Sequence, residues 1–246
     1  MKILKRNRVA FGVIVFIVLL AVQIFLGKTG HLIASVIPYQ KIDPYDSFAE
    51  ISIHHAFELI IALLIILFLS KLLNLDFFFR LGDKKTGIKS VILFGLAFTA
   101  ISIAQHTLMV VNNQLPSYAF PLDGKNILGT LGFQLLLSGP AEEVLFRALP
   151  IILLTYSFGK SIKIKGNLTL EVILASVLFA FAHINWSLMP LTFEVNFFQV
   201  IYAFVLGTIQ GIVYQRCKSI LYPVLMHSIS NVLMVSGGYV FTALFS

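Results

Sequence analysis

The sequence has few charged residues and a single cysteine. Only 12% of its 246 residues are charged, whereas a soluble domain has about 25%. Hydrophobic residues make up 58% of the chain, and its mean hydropathy is +0.93. A water-soluble core could not bury so many apolar side chains, so the composition excludes an ordinary soluble protein. Because Cys217 is the only cysteine, an internal disulfide is excluded as well.

Long apolar runs predict an all-α fold, a polytopic transmembrane helical bundle. One crossing needs roughly 20 apolar residues, because the hydrocarbon layer is about 30 Å thick. Seven stretches meet this requirement, approximately 9–26, 52–73, 88–111, 126–156, 169–186, 197–214 and 219–245. The fourth and seventh are longer than one crossing needs, which predicts that they are broken or tilted. An eighth, short membrane segment stays an alternative.

The lysine and arginine residues alternate between loops. They cluster before the first span, between the second and third, and after the fourth and sixth, while the other loops hold only Lys28, Lys41 and Lys125. The positive-inside rule therefore predicts a cytoplasmic N-terminus and, with seven spans, a C-terminus outside. The net charge of +7 is thus a topology signal and does not indicate a nucleic-acid partner. No small-x-small site precedes Lys28, so the first span is predicted to be a retained anchor.

Ionisable and amide side chains enter the spans only beyond about residue 126. Charged groups inside a bilayer cost several kcal/mol each, so their presence there indicates a functional site. The residues concerned are Glu142, Glu143 and Arg147 in the fourth span, His183 in the fifth, and His227 and Asn231 in the seventh. His54, His55 and His106 are interpreted instead as hydrogen-bonded core residues.

Helical spacing separates the two adjacent glutamates. Glu143 and Arg147 stand at i and i+4, which predicts a buried ion pair, whereas Glu142 points about 100° away and has no cation at that spacing. A purely structural cluster of all three charges stays an alternative. Gly139 and Pro140 predict a broken or restarted helix, in whose first turn free N–H groups would favour the Glu142 carboxylate. A packing kink without function stays an alternative.

The estimated depths of four polar groups in the membrane predict that they lie close together. At about 1.5 Å per residue, Glu142 and His183 lie roughly 21 Å from the cytoplasmic side, and His227 and Asn231 about 12 and 18 Å. In one pocket, Glu142 could act as a general base, while the two histidines hold water and a substrate carbonyl and Asn231 donates to an oxyanion.

The same carboxylate and imidazoles suit a metal ion. Glu142, His183 and His227 could equally bind zinc. The HExxH motif is absent, and spacing does not choose between metal-assisted and metal-free hydrolysis. No cofactor is therefore predicted firmly, and zinc stays an alternative.

These motifs together resemble the CPBP family, also called the CAAX protease and bacteriocin-processing, or Abi, family. Its pattern is EExxxR, then FxxxH, then HxxxN or HxxxD. The matching residues, in order on successive polar spans, are Glu142, Glu143, Arg147, Phe179, His183, His227 and Asn231. The resemblance covers roughly residues 126–235, under half of the chain.

The resemblance implies an intramembrane endopeptidase related to the Ras-converting CAAX endopeptidases. It implies that Glu142 is the base, that Glu143 and Arg147 support it, that His183 and His227 position water, and that Asn231 completes the oxyanion site. Family names call these enzymes metalloproteases, although a metal-free glutamate mechanism is the better-supported picture. The expected substrate is a membrane-embedded or lipophilic peptide.

The short loops and small size indicate a bacterial cell membrane as the location. Residues 1–125 form an N-terminal transmembrane region of unassigned role, residues 126–235 the catalytic core, and residues 236–246 the end of the last span. Two other classes stay open, a non-proteolytic scaffold or bacteriocin-immunity protein on the same fold, and a proton- or ion-coupled carrier. The sequence predicts no oligomeric state.

Overall fold

Helices form nearly all of the regular structure. The computed structural model describes residues 2–188 and 191–245. The helices are α1 (Lys2–Val36), α2 (Ala49–Leu73), α3 (Lys84–Val111), α4 (Gly124–Phe133), α5 (Gly139–Glu143), α6 (Leu149–Phe158), α7 (Leu170–Ala182), α8 (Phe197–Cys217) and α9 (Leu221–Phe245). Two short antiparallel pairs flank α7, namely β1 (Lys163–Lys165) with β2 (Leu168–Thr169), and β3 (Asn185–Leu188) with β4 (Leu191–Glu194). The predicted all-α membrane class is confirmed.

The predicted count of seven spans is not confirmed. Within the described residues, five helices are long and apolar enough to cross a membrane, namely α1, α2, α3, α8 and α9. The fourth predicted span is one unbroken helical stretch in which π-helical segments separate α4, α5 and α6, and the fifth corresponds to α7, which has only 13 residues. The seventh is one continuous helix, Leu221–Phe245. Ser246, where the C-terminus was predicted to lie outside, is not among the described residues.

Side-chain caps explain where several helices begin. Asp83, Asp123, Thr169 and Asn196 each accept a hydrogen bond from the backbone N–H group three residues ahead, at the starts of α3, α4, α7 and α8. Such caps satisfy N–H groups that have no partner inside the helix. The short loops between spans are therefore tied to the helices that follow them.

Asp43 organises the loop between α1 and α2. Its buried carboxylate accepts hydrogen bonds from the backbone N–H groups of Phe48 and Ala49, at 2.7 and 2.8 Å. Burial would raise the pKa of Asp43, but these bonds outweigh it and hold the pKa below its usual value. The hydroxyl of Ser47 lies 3.0 Å from both Asp43 Oδ1 and Asn126 Oδ1, so the loop also contacts α4.

Two π-helical segments, Gln134–Ser138 and Val144–Ala148, flank α5. Ser138 and Gly139 both keep right-handed helical backbone angles, so the chain does not stop before Pro140. The expectation that Glu142 faces free N–H groups at a helix start is therefore wrong. The wider π turn accommodates the missing N–H of Pro140 instead of a break.

Gly139 has a packing role. A Cβ atom at this position would lie 2.4 Å from Ser228 Oγ and 3.0 Å from the carbonyl oxygen of Val224, both on α9. Only glycine allows this approach. The contact brings α9, with the polar residues it carries, against α5.

Packing places α5 at the centre of the bundle. It contacts α2 and α9, while α7 lies along α8 and α3 lies along α9. α1 packs on α2 and on α6. Residues of α1, α2, α6 and α7 share one hydrophobic core with the second π segment. The two acidic residues of α5 are therefore surrounded by both halves of the chain.

Candidate active site

A cavity of about 770 Å³ opens beside α5. This volume lies within the range of about 300–1,000 Å³ that is usual for ligand-binding sites. Its walls come from α1, α2, α5, α7 and the β3–β4 pair. The polar side chains that line it include His54, His55, Glu58, Glu142 and His183.

Glu142 is the carboxylate of α5 that faces this cavity. Its side chain is 17% exposed. Ser138 Oγ, one turn earlier, donates a hydrogen bond of 3.0 Å to Oε1 of Glu142. His55 Nε2 of α2 lies 3.2 Å from the same oxygen, and His227 Nε2 of α9 lies 3.6 Å from Oε2. Three elements therefore position one partly accessible carboxylate.

Each ring nitrogen of His55 lies next to an oxygen atom. Nδ1 lies 3.0 Å from the carbonyl oxygen of Ile51, and Nε2 lies 3.2 Å from Glu142 Oε1. Both neighbours can only accept hydrogen bonds, provided that Glu142 is ionised. His55 donates in both contacts only as an imidazolium, whose charge would balance that of Glu142.

Glu143 belongs to a separate, fully buried cluster. Glu143 and Arg147 are both 0% exposed, and Arg147 Nε lies 3.2 Å from Glu143 Oε2. This contact is ionic rather than a well-directed hydrogen bond. Nη2 of Arg147 donates to Gln210 Oε1 of α8 at 2.7 Å. His227 Nδ1 donates to the other oxygen of Glu143 at 2.7 Å, which leaves Nε2 of His227 on the side of Glu142.

Phe179 connects the buried ion pair with the two histidines of the motifs. The guanidinium carbon of Arg147 lies 3.8 Å from the centroid of the Phe179 ring, a cation–π contact. The rings of His183 and His227 lie edge-on to it, with centroids at 4.7 and 6.2 Å. A Cβ at Gly207 of α8 would lie 3.3 Å from this ring, so glycine permits the close packing.

His183 follows the last residue of α7. Its Nδ1 donates to the carbonyl oxygen of Phe179 at 2.9 Å, which fixes the hydrogen on Nδ1. Nε2 is therefore the nitrogen that remains for the cavity. His183 lines this cavity together with Glu142.

Asn231 reaches Glu142 through a hydroxyl. Its Nδ2 donates to Ser138 Oγ at 2.9 Å, and Ser138 donates in turn to Glu142. An amide nitrogen carries two hydrogens, so one remains for a further acceptor. Neither Asn231 nor His227 is among the residues that line the cavity itself.

One comparison with known proteins gives a match. Residues 124–233 match the family model of the type II CAAX prenyl endopeptidases, Rce1-like. This range contains every residue of the three motifs. Residues 124–233, under half of the chain, are thus similar to the CAAX protease, or CPBP, family. The match indicates a CAAX-type membrane endopeptidase, which is a peptide hydrolase. No curated protein and no solved structure matches the chain.

Several predictions about the CAAX protease motifs agree with the geometry. The ion pair between Glu143 and Arg147 is confirmed. Glu142 and His227 meet, and Asn231 contacts them through Ser138. His183 shares the cavity with Glu142, although no direct hydrogen bond joins them. The catalytic roles of these residues stay predictions.

The structure also tests the interpretation of the other three histidines as hydrogen-bonded core residues. His106 packs as predicted, with Nδ1 donating to the carbonyl oxygen of Ser102 at 2.7 Å. His55 was interpreted as a core residue, yet it contacts Glu142. His54 is buried, its Nδ1 has no hydrogen-bond partner, and its Nε2 lies 3.4 Å from Glu58 Oε2. Residues 1–125 thus contribute directly to the cavity of the CAAX protease region.

Sequence reasoning also missed Ser138 and Gln210, which hold Glu142 and Arg147. A glutamine inside an apolar span is a signal for Gln210, since buried amides need partners. The alternative zinc ligands Glu142, His183 and His227 do not form a cluster with metal-ligand spacing. Within the described residues, that spacing is found for His54, His55 and Glu58.

Proposed function

We propose that this chain is an intramembrane endopeptidase in which Glu142 activates the water that cleaves the peptide bond. The contrast between the two glutamates carries this proposal. Glu143 is fully buried and bound to Arg147, whereas Glu142 is partly exposed at a cavity large enough for a ligand. A base must reach both water and substrate, and of the pair only Glu142 is placed to do so.

In the proposed reaction, Glu142 takes a proton from a water molecule while the oxygen of that water attacks the substrate carbonyl. His183 and His227 each donate through Nδ1 to a protein acceptor, so Nε2 of a neutral ring accepts a hydrogen bond from the water, and Nε2 of a protonated ring donates to the oxyanion. The free N–H of Asn231 adds a further donor. Glu142 then returns the proton to the leaving amine, so no net proton is consumed.

His55 and Ser138 act in this proposal as positioning residues for the base. Each holds Oε1 of Glu142, which leaves Oε2, on the side of His227, for the water. The imidazolium of His55 stabilises the ionised carboxylate inside the bilayer. The N-terminal region is therefore part of the proposed catalytic unit.

The cavity wall supports a membrane-embedded or lipophilic peptide as the substrate. Apolar side chains from α1 and α7, among them Leu20, Ile24, Leu178 and Phe181, line it. The residues from α1 lie between its middle and its C-terminal end, and those from α7 lie near the C-terminal end of that helix. In the orientation predicted from the basic loops, those ends lie toward the outer face, so a substrate would reach the cavity from the bilayer or from outside.

A proteomic comparison of membranes tests this function. Three strains are compared, one with the wild-type chain, one with Glu142→Ala and one without the protein. A peptidase predicts a membrane peptide that is cut in the wild type and stays uncut in both other strains. If the chain is a scaffold or immunity protein, the Glu142→Ala strain should show the same membrane peptides as the wild type, which would contradict the proposal. A carrier would do so by leaving the cleavage of every peptide unchanged.

A further inference from the structure

Three potential metal ligands lie on α2, which packs against α5 and places one of them, His55, in contact with Glu142. His54 and Glu58 stand at i and i+4, and His55 follows His54. One donor atom from each of these side chains lies within 4.8 Å of the other two, and all three residues are buried. Nothing in the proposed hydrolysis uses His54 or Glu58.

The geometry of His54 and Glu58 fits a metal ion. Nε2 of His54 lies 3.4 Å from Oε2 of Glu58. Two ligand atoms bound at about 2.1 Å to a tetrahedral zinc ion lie about 3.4 Å apart, so this pair already has the required separation. Imidazole and carboxylate groups are the ordinary ligands of zinc outside cysteine-rich sites.

The charges around the cavity favour a cation at this position. Glu58 and Glu142 both line it, whereas the charge of Glu143 is balanced by Arg147. Lys28 also lines the cavity, but its ammonium group lies 4.0 Å from the centroid of the Trp186 ring. The contact with His55 compensates Glu142, so Glu58 is the carboxylate at membrane depth that still needs compensating charge. A divalent ion between His54, His55 and Glu58 would supply it.

His54 itself is a buried polar side chain without a hydrogen bond in the described part of the chain. It is only 6% exposed, and its Nδ1 has no partner. A Cβ at Gly30 of α1 would lie 2.8 Å from that nitrogen, so α1 closes over one edge of the ring. The other edge, with Nε2, points to Glu58.

We propose that His54, His55 and Glu58 form a binding site for one divalent transition-metal ion of the zinc class. Three protein ligands with a fourth position for water are the usual arrangement of an open zinc site. His55 can bind the ion only through Nε2, because Nδ1 donates to Ile51. This is the nitrogen that contacts Glu142, so metal binding and the contact between His55 and Glu142 exclude each other.

Metal content of the purified full-length protein tests the site without any activity assay. The protein, carrying a tag without histidine, is stripped with a chelator, equilibrated with micromolar Zn²⁺ and analysed by mass spectrometry for zinc. We expect one equivalent in the wild type. His54→Gln and Glu58→Gln should each bind at least about 100-fold more weakly, because changes beyond the ligands alone already cost 10–100-fold.

Two other buried histidines provide matched controls. His106→Gln lies on α3, away from the cavity, and His183→Gln removes a cavity histidine outside the trio. Both variants should keep one equivalent of zinc. Loss of zinc from His183→Gln with retention in His54→Gln would place the metal at the other set of residues and overturn the inference.

X-ray absorption on the zinc-loaded wild type keeps the test independent of how the variants fold. We expect two imidazole ligands, with oxygen atoms completing the shell. Absence of imidazole scattering, or less than about a tenth of an equivalent of zinc in the wild type, would contradict the site. Neither result depends on whether Glu142 is the catalytic base.

Discussion

Replacing Glu142 by glutamine should lower turnover by about 10² to 10⁴-fold, the contribution typical of a general base, while the protein stays folded. Glutamine keeps the volume of the side chain and can still accept from Ser138, but it cannot take a proton from water. The fold survives because the imidazole partners of Glu142, His55 and His227, can be neutral. Turnover in proteoliposomes and the thermal unfolding midpoint measure the two effects.

An exposed carboxylate offers the matched control. Asp76 is 54% exposed and pairs with Arg80 at 2.9 Å, away from the cavity. Asp76→Asn should therefore leave turnover unchanged. Near-normal cleavage by Glu142→Gln would contradict the assignment of Glu142 as the base. A loss of activity that only follows a loss of folded protein would contradict it as well.

Glu143→Gln should instead destabilise the fold, by about 3–5 kcal/mol, because it breaks a buried ion pair. Arg147 is 0% exposed and cannot give up its proton, so it would remain as an unpaired buried cation. The remaining partners of its guanidinium, the Gln210 amide and the Phe179 ring, carry no charge. The amount of protein inserted in the membrane and its resistance to unfolding are the measurements.

The double variant Glu143→Gln with Arg147→Gln separates charge balance from catalysis. Removing both charges should restore much of the protein level, because no unpaired charge is left. Turnover should stay low, since an amide oxygen stabilises a protonated His227 less than the carboxylate of Glu143 does. A double variant that is no better folded than Glu143→Gln alone would show that the pair does not balance charge.

Helical periodicity in the sequence predicted the contacts that form between residues of a single helix. The i and i+4 spacing of Glu143 and Arg147 is enough to make them neighbours on any continuous helix, and the pair forms. The same geometry separates Glu142 from Glu143. Membrane depth predicted that groups on different helices would approach, and Glu142 with His227 shows this.

Contacts between helices that carry no recognised motif could not be predicted in this way. The approach of His55 to Glu142 depends on how α2 packs against α5, and nothing in the spacing of α2 alone reveals it. A membrane histidine usually has a local partner, as His106 does with Ser102, so His55 was assigned to the core. Three-dimensional packing decides which histidine meets a carboxylate.

The segment around Pro140 shows a second limit of local rules. A glycine followed by proline predicts a helix start, because proline lacks an N–H donor. The chain instead widens into a π segment at Gln134–Ser138 and continues. Packing of α9 against Gly139 and burial of the neighbouring turns favour a continuous helix over an exposed start, and these are tertiary effects.

Turnover of the purified wild-type protein after exhaustive chelation tests the central claim most directly, when the zinc content of the same sample is measured. Water activated by Glu142 needs no metal, so activity should persist with well under one equivalent of zinc. Zinc bound by His54, His55 and Glu58 is not required for this reaction. Loss of cleavage on chelation, with recovery when zinc is added back, would contradict the account, because hydrolysis would then require a bound metal.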